Sequence, residues 1–69
     1  MSYPMLSSDL KALKRTPEFQ GRAFGISRIQ RFMGIGYNRA VHLVDAAIEQ
    51  GVLVRDQDSD WLVRLAEQN

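Results

Sequence analysis

The sequence predicts a mainly α domain with a small β-hairpin, a winged helix-turn-helix made of three helices and a two-stranded wing. Three observations lead there. Residues 27–50 hold two stretches with apolar side chains at helical spacing, parted by Gly34-Ile35-Gly36. A further stretch carrying Leu6, Leu10 and Leu13 at the same spacing precedes Pro17. Two β-prone runs, Val52-Leu53-Val54 and Trp61-Leu62-Val63, flank the polar segment Asp56-Gln57-Asp58-Ser59-Asp60. The 69 residues make a single domain, and a chain of that length buries only about 60% of the surface its unfolded form exposes. It contains no cysteine, so neither disulfides nor thiolate metal sites support the apolar core.

Each element has a local cause. Residues 1–6, with Pro4 and no polar periodicity, read as an extended arm. Ser7 or Ser8 offers an N-cap, and Asp9 falls in the first turn, where the helix dipole favours an anion. The first helix is expected from Asp9 to Arg15 and should stop near Thr16, because proline disfavours helix in the residue before it. Glu18 to Gly25 reads as a turn with one extended piece at Arg22–Phe24. Ser27 is placed as the N-cap of the second helix, with Gln30 as its capping-box partner and Ile29, Phe32 and Met33 as its apolar stripe. The two glycines of Gly34-Ile35-Gly36 allow positive backbone angles, while Ile35 turns toward the core.

The third helix is expected from Tyr37 or Asn38 to Gln50, ended by Gly51 in a left-handed conformation. Ala40, Val41, Leu43, Val44, Ala47 and Ile48 form its inner side, and Asn38, His42, Asp45 and Glu49 recur along its outer side. Residues 52–65 form the wing, whose acidic segment reads as a solvated turn. Trp61, Phe24 and Phe32 are expected in the core rather than as stacking platforms for bases.

The net charge of +1 hides a sorting along the chain. Residues 19–44 carry Arg22, Arg28, Arg31 and Arg39 and no acid, whereas residues 45–69 set six acids against Arg55 and Arg64. Charge alone serves two readings, a middle third that attracts a polyanion or arginines that merely decorate solvated helices. The helix-turn-helix pattern adds geometry, because its second helix can enter the major groove of duplex DNA. Near the start of that helix Asn38 can pair with adenine, and Arg39 can reach guanine or a phosphate. His42 can donate to guanine and Asp45 can accept from a cytosine amino group. Arg28, Arg31, the Tyr37 hydroxyl and the start of the second helix are placed to hold phosphates, and Ser27 and Gln30 complete the candidate DNA-binding set.

Catalysis is not expected. One histidine, no cysteine and no paired carboxylates beside a phosphate loop leave no constellation for nucleophilic, metal or acid-base chemistry. Gly34-Ile35-Gly36 lacks the preceding strand of a dinucleotide site, and Asp56, Asp58 and Asp60 lack the glycine and glutamate that complete a calcium loop. No cofactor and no metal are therefore expected. The apolar runs are far shorter than the ~20 residues needed to cross a bilayer, which predicts a soluble, cytoplasmic protein with no membrane partner.

Ile26-Ser27, Gln30-Arg31 and the run Ile35-Gly36-Tyr37-Asn38-Arg39-Ala40 together resemble the gamma domain of the FtsK/SpoIIIE DNA translocases. The resemblance is gapless through residues 26–40 and looser through Gly51-Val52-Leu53, about half the chain. It implies a winged helix that reads short, oriented, guanine-rich duplex sequences and contacts the Xer site-specific recombinase. Of the three base-reading positions that the family fills with asparagine, arginine and glutamate, Asn38 matches, while His42 and Asp45 stand at the other two. The replaced arginine and glutamate imply a target different from the family's, and the missing phosphate-binding loop of the motor implies a stand-alone or excised module. The expected function is sequence-specific double-stranded DNA binding, as a small transcriptional repressor or accessory factor acting as a dimer or in multiple copies. The alternatives are a protein-protein interaction module, a phage- or plasmid-encoded inhibitor with the same fold, and a domain of a larger translocase.

Overall fold

A computed structural model of the chain describes residues 3–66; residues 1–2 of the expected arm and residues 67–69, including Glu67, lie outside the described residues. Three helices, α1 (Leu6–Arg15), α2 (Ile26–Met33) and α3 (Tyr37–Glu49), are followed by strands β1 (Leu53–Arg55) and β2 (Val63–Leu65). A 3-10 turn at Pro17–Phe19 lies between α1 and α2. The layout is that of a winged helix-turn-helix, mainly helical with one small hairpin.

α1 starts three residues earlier than the capping residues suggest. Met5 is its N-cap, with no side-chain cap bond, so Ser7 and Ser8 lie inside the first turn. Burial of Leu6 explains the extension, because a helix begun at Asp9 would leave that leucine outside the stripe it shares with Leu10 and Leu13. Tyr3 packs against the core and its carbonyl accepts from the Leu6 amide at 3.0 Å, so this part of the arm folds back on the domain. The helix ends as expected at Thr16, whose extended backbone (ψ 118°) leads into Pro17.

α2 also starts early. Gly25 is its N-cap, Ser27 makes no cap bond and the box with Gln30 does not form. A one-residue bridge between Phe24 and Val63 fixes the chain there, with paired amide-carbonyl bonds of 2.8 and 2.9 Å. That bridge is all that forms of the extended piece expected over Arg22–Phe24. The turn between α2 and α3 uses one left-handed glycine rather than two: Gly34 ends α2 at φ 65°, whereas Gly36 has φ −76° and serves as the N-cap of α3.

α3 ends at Glu49, with Gln50 as C-cap and Gly51 at φ 78°. The Val52 amide donates to the Ala47 carbonyl (2.8 Å) and the Gly51 amide to the Ile48 carbonyl (3.1 Å), the paired bonds of a Schellman motif. Ala40, Leu43, Val44 and Ala47 are buried, and Val41 and Ile48 lie at the margin, half-buried. The antiparallel hairpin pairs Leu53 with Leu65, Val54 with Arg64 and Arg55 with Val63. Its second strand begins at Val63, so Trp61 lies in the turn and the alternation of the strand does not carry it inward.

The core joins Leu6, Leu10 and Leu13 of α1 to Phe19, Phe24, Ile29, Leu43, Leu53 and Val63. Phe19 and Phe24 meet at 4.6 Å between ring centroids. Two aromatics expected inside are outside. Phe32 is 49% exposed, touching Phe19 edge-on, and Trp61 is 73% exposed.

Candidate nucleic-acid interface

The outer edge of α3 is open to solvent along its length. Tyr37, Asn38, His42, Asp45 and Glu49 are all exposed, because the inward row of Ala40, Leu43, Val44 and Ala47 turns the opposite side of the helix away from the core. On α2, Ser27, Arg28 and Arg31 are exposed and Gln30 is half-buried. Arg31 has no ion-pair partner among the described residues. Arg28 does have one. Its Nη1 donates to Glu18 Oε2 at 2.8 Å, and Arg22 approaches the same oxygen at 3.6 Å, so one carboxylate just ahead of α2 partly offsets the arginines. Both ion pairs are solvent-exposed and readily exchanged.

The amino ends of the two helices share a property. Neither α2 nor α3 has a side-chain cap or an acid in its first turn. Their leading N–H groups are left without the internal anion that Asp9 supplies in α1, which makes both helix starts favourable places for an external one.

Arg39 departs from its expected role. Its Nε donates to Asp9 Oδ2 and its Nη2 to Asp9 Oδ1, each at 2.9 Å, in a bidentate pair that ties α3 to α1. The Tyr3 hydroxyl donates to Asp9 Oδ2 at 2.7 Å, and the Tyr3 ring lies 5.9 Å from the guanidinium carbon. The hydrogen bonds from Arg39 hold the Asp9 carboxyl below its ordinary pKa against the opposing effect of burial. Burial, and then the bond to Asp9, push Tyr3 from 10.0 up to about 12, and Asp9 in turn raises Arg39. Asp9 is 5% exposed and could not stay ionised there unpaired. The buried carboxylate occupies one edge of the guanidinium, Nε and Nη2, so the first task of Arg39 is to tie α3 to α1.

Sequence reasoning missed this pair, though a signal existed. Asp9 falls at i+3 from Leu6 and four residues before Leu13, within the apolar stripe of α1, where a carboxylate demands a cation. Arg39 falls four residues before Leu43 and so overlies the inner side of α3.

Of the wing's acids, Asp58 and Asp60 are exposed, as expected of a solvated turn, and Asp56 is engaged. Asp56 accepts from Arg64 Nη2 at 3.2 Å and from the Asp58 amide at 3.1 Å, and Arg55 Nη1 donates to the Asp60 carbonyl at 3.0 Å. No group of three or more His, Cys, Asp and Glu side chains among the described residues is placed to hold a metal ion. No helix among them is long and apolar enough to cross a membrane. No family model, no curated protein and no solved structure matches this chain.

Proposed function

We propose that this chain is a sequence-specific double-stranded DNA-binding domain that lays α3 in the major groove, with a role as a small cytoplasmic transcriptional repressor or accessory DNA-binding factor. The observation that carries the reading is the exposed polar edge of α3, projecting from a helix-turn-helix in which neither helix start is neutralised from within. Asn38, His42 and Asp45, spaced four and three residues apart, offer an amide, an imidazole and a carboxylate to successive base edges. Arg28, Arg31, Ser27 and the Tyr37 hydroxyl supply phosphate contacts, which set position without reading sequence. The likeness of residues 26–40 to the translocase gamma domain points the same way. One such module presents a single reading helix, so paired or repeated sites occupied by two or more copies would provide useful affinity.

Selection of bound duplexes from a random pool at low salt tests this, and a reproducible enriched motif is the expected result. A folded protein that enriches nothing defeats the proposal. Asn38→Ala with His42→Ala should weaken binding to the selected site, each base contact contributing about 1–3 kcal/mol of discrimination, while helicity is unchanged. Arg39→Ala is not a suitable probe, because it breaks the α1–α3 pair. The exposed carboxylates of Asp58 and Asp60 favour a second reading, a protein-protein interaction module or inhibitor that keeps the fold. Affinity falling steeply with salt, as expected when several phosphates are contacted, separates the first from the second.

A further inference from the structure

We infer that Trp61 is a DNA contact: with Phe32, Arg28 and Arg31 it forms an aromatic and cationic seat for the sugar-phosphate strand beside the segment α3 reads. The inference rests on the DNA-binding reading and adds residues of the wing to it. Trp61 is the sole tryptophan of the chain and is 73% exposed, and Phe32 is the other large aromatic exposed near it. Its place is defined by α2: a Cβ built on Gly25 would sit 3.7 Å from Trp61 Cε3, so the indole edge rests on the backbone at the start of that helix.

From that position the ring borders two grooves that share Gly25 and Ile26. One is lined by Ser27, Arg28, Arg31 and Phe32, and the other by Val41 and Asp45 of α3 and Arg55 of β1. Trp61 is thus the junction between the reading helix and the arginines of α2. Three arginines and one carboxylate line these grooves, a balance that suits an anionic strand.

A nucleic-acid strand alternates apolar sugar with anionic phosphate. A flat indole between guanidinium groups matches that alternation, since the ring packs on the sugar or a base edge while the arginines take the phosphates. The acidic turn is compatible with it. Arg64 pairs with the Asp56 carboxylate, one of the turn's three, and Arg55, held to the Asp60 backbone carbonyl, places a second positive charge beside it.

Because Trp61 is the sole tryptophan, emission excited at the red edge of the absorption band, where Tyr3 and Tyr37 do not absorb, reports on this residue alone. Titration with the selected duplex is expected to shift and quench its emission, saturating at the concentrations that saturate the gel shift, and to shield it from acrylamide. Trp61→Ala is expected to weaken binding by about tenfold with an unchanged far-ultraviolet spectrum, and Trp61→Phe to restore most of the loss, as stacking contacts do. If the duplex binds but Trp61 emission and acrylamide accessibility do not change, or Trp61→Ala binds with wild-type affinity, the inference is overturned while the DNA-binding reading stands. That outcome would leave the indole to a protein partner. If no duplex binds the wild-type chain, both fall together.

Discussion

Replacing Asp9 with asparagine keeps the shape of the side chain and removes the charge on which three hydrogen bonds converge. Oδ2 accepts from both Tyr3 and Arg39 Nε, and Oδ1 accepts from Arg39 Nη2. An amide can present only one oxygen, so its NH2 must face a donor on Arg39 or on Tyr3. Breaking a fully buried ion pair from one side costs about 3–5 kcal/mol. Here the Arg39 side chain is 37% exposed, so water can take up part of the guanidinium that is set free, and the expected loss falls to about 2 kcal/mol. For a domain of this size that corresponds to a melting temperature lower by roughly 8–16 °C.

Thermal unfolding followed by circular dichroism at neutral pH measures it directly. A partner experiment replaces Arg39 with methionine and then both residues together. The double variant should lose less than the two single losses combined, because no buried charge is then left alone. A melting temperature for Asp9→Asn within about 2 °C of the wild type, under half a kcal/mol, would show that the pair does not secure α3 and would refute the structural role given to Arg39.

The same cluster should shape the pH dependence of stability. Asp9 titrates lower in the fold than in the unfolded chain, so its contribution is complete above the unfolded value of about 3.9 and is lost as pH falls through the depressed folded value. Tyr3 is raised from 10.0 to about 12, so its contribution is complete below 10.0 and is lost as pH rises toward the folded value, and Asp9→Asn should flatten both limbs of the melting profile. Leu43→Ala, at a fully buried site in the middle of α3, should cost about 2–5 kcal/mol by urea denaturation, enough to leave a small domain largely unfolded. Gly34→Ala, at φ 65°, should lose about 1 kcal/mol, whereas Gly36→Ser, at a negative φ with open space around the added Cβ, should gain a few tenths by capping α3. Chemical denaturation of the two variants side by side would show opposite shifts in midpoint.

Periodicity carried the helices, because it is a local property of the chain. Leu6, Leu10 and Leu13, and the row from Ala40 to Ala47, had to share a face whatever packed against them, and Pro17 and Gly51 ended their helices through backbone restrictions that need no neighbour. The exposed edge at Asn38, His42 and Asp45 was legible for the same reason, being the complement of the buried row. Helix starts were less so. Met5 and Gly25 precede better capping residues, since burial of Leu6 and the Phe24–Val63 bridge outweigh the bond that a serine at an N-cap would add.

Local spacing set the alternation of apolar and polar faces, and with it three helices, a hairpin and an open outer edge on the last helix. The partners of individual side chains came from packing: that Arg39 serves Asp9, that Arg28 meets Glu18, and that Trp61 and Phe32 stand outside while Phe19 and Phe24 close the core. Separation along the chain accounts for the difference. Asp9 and Arg39 are 30 residues apart, and whether a charge meets its counter-charge or an aromatic meets a cavity depends on how whole elements pack, which local spacing does not encode.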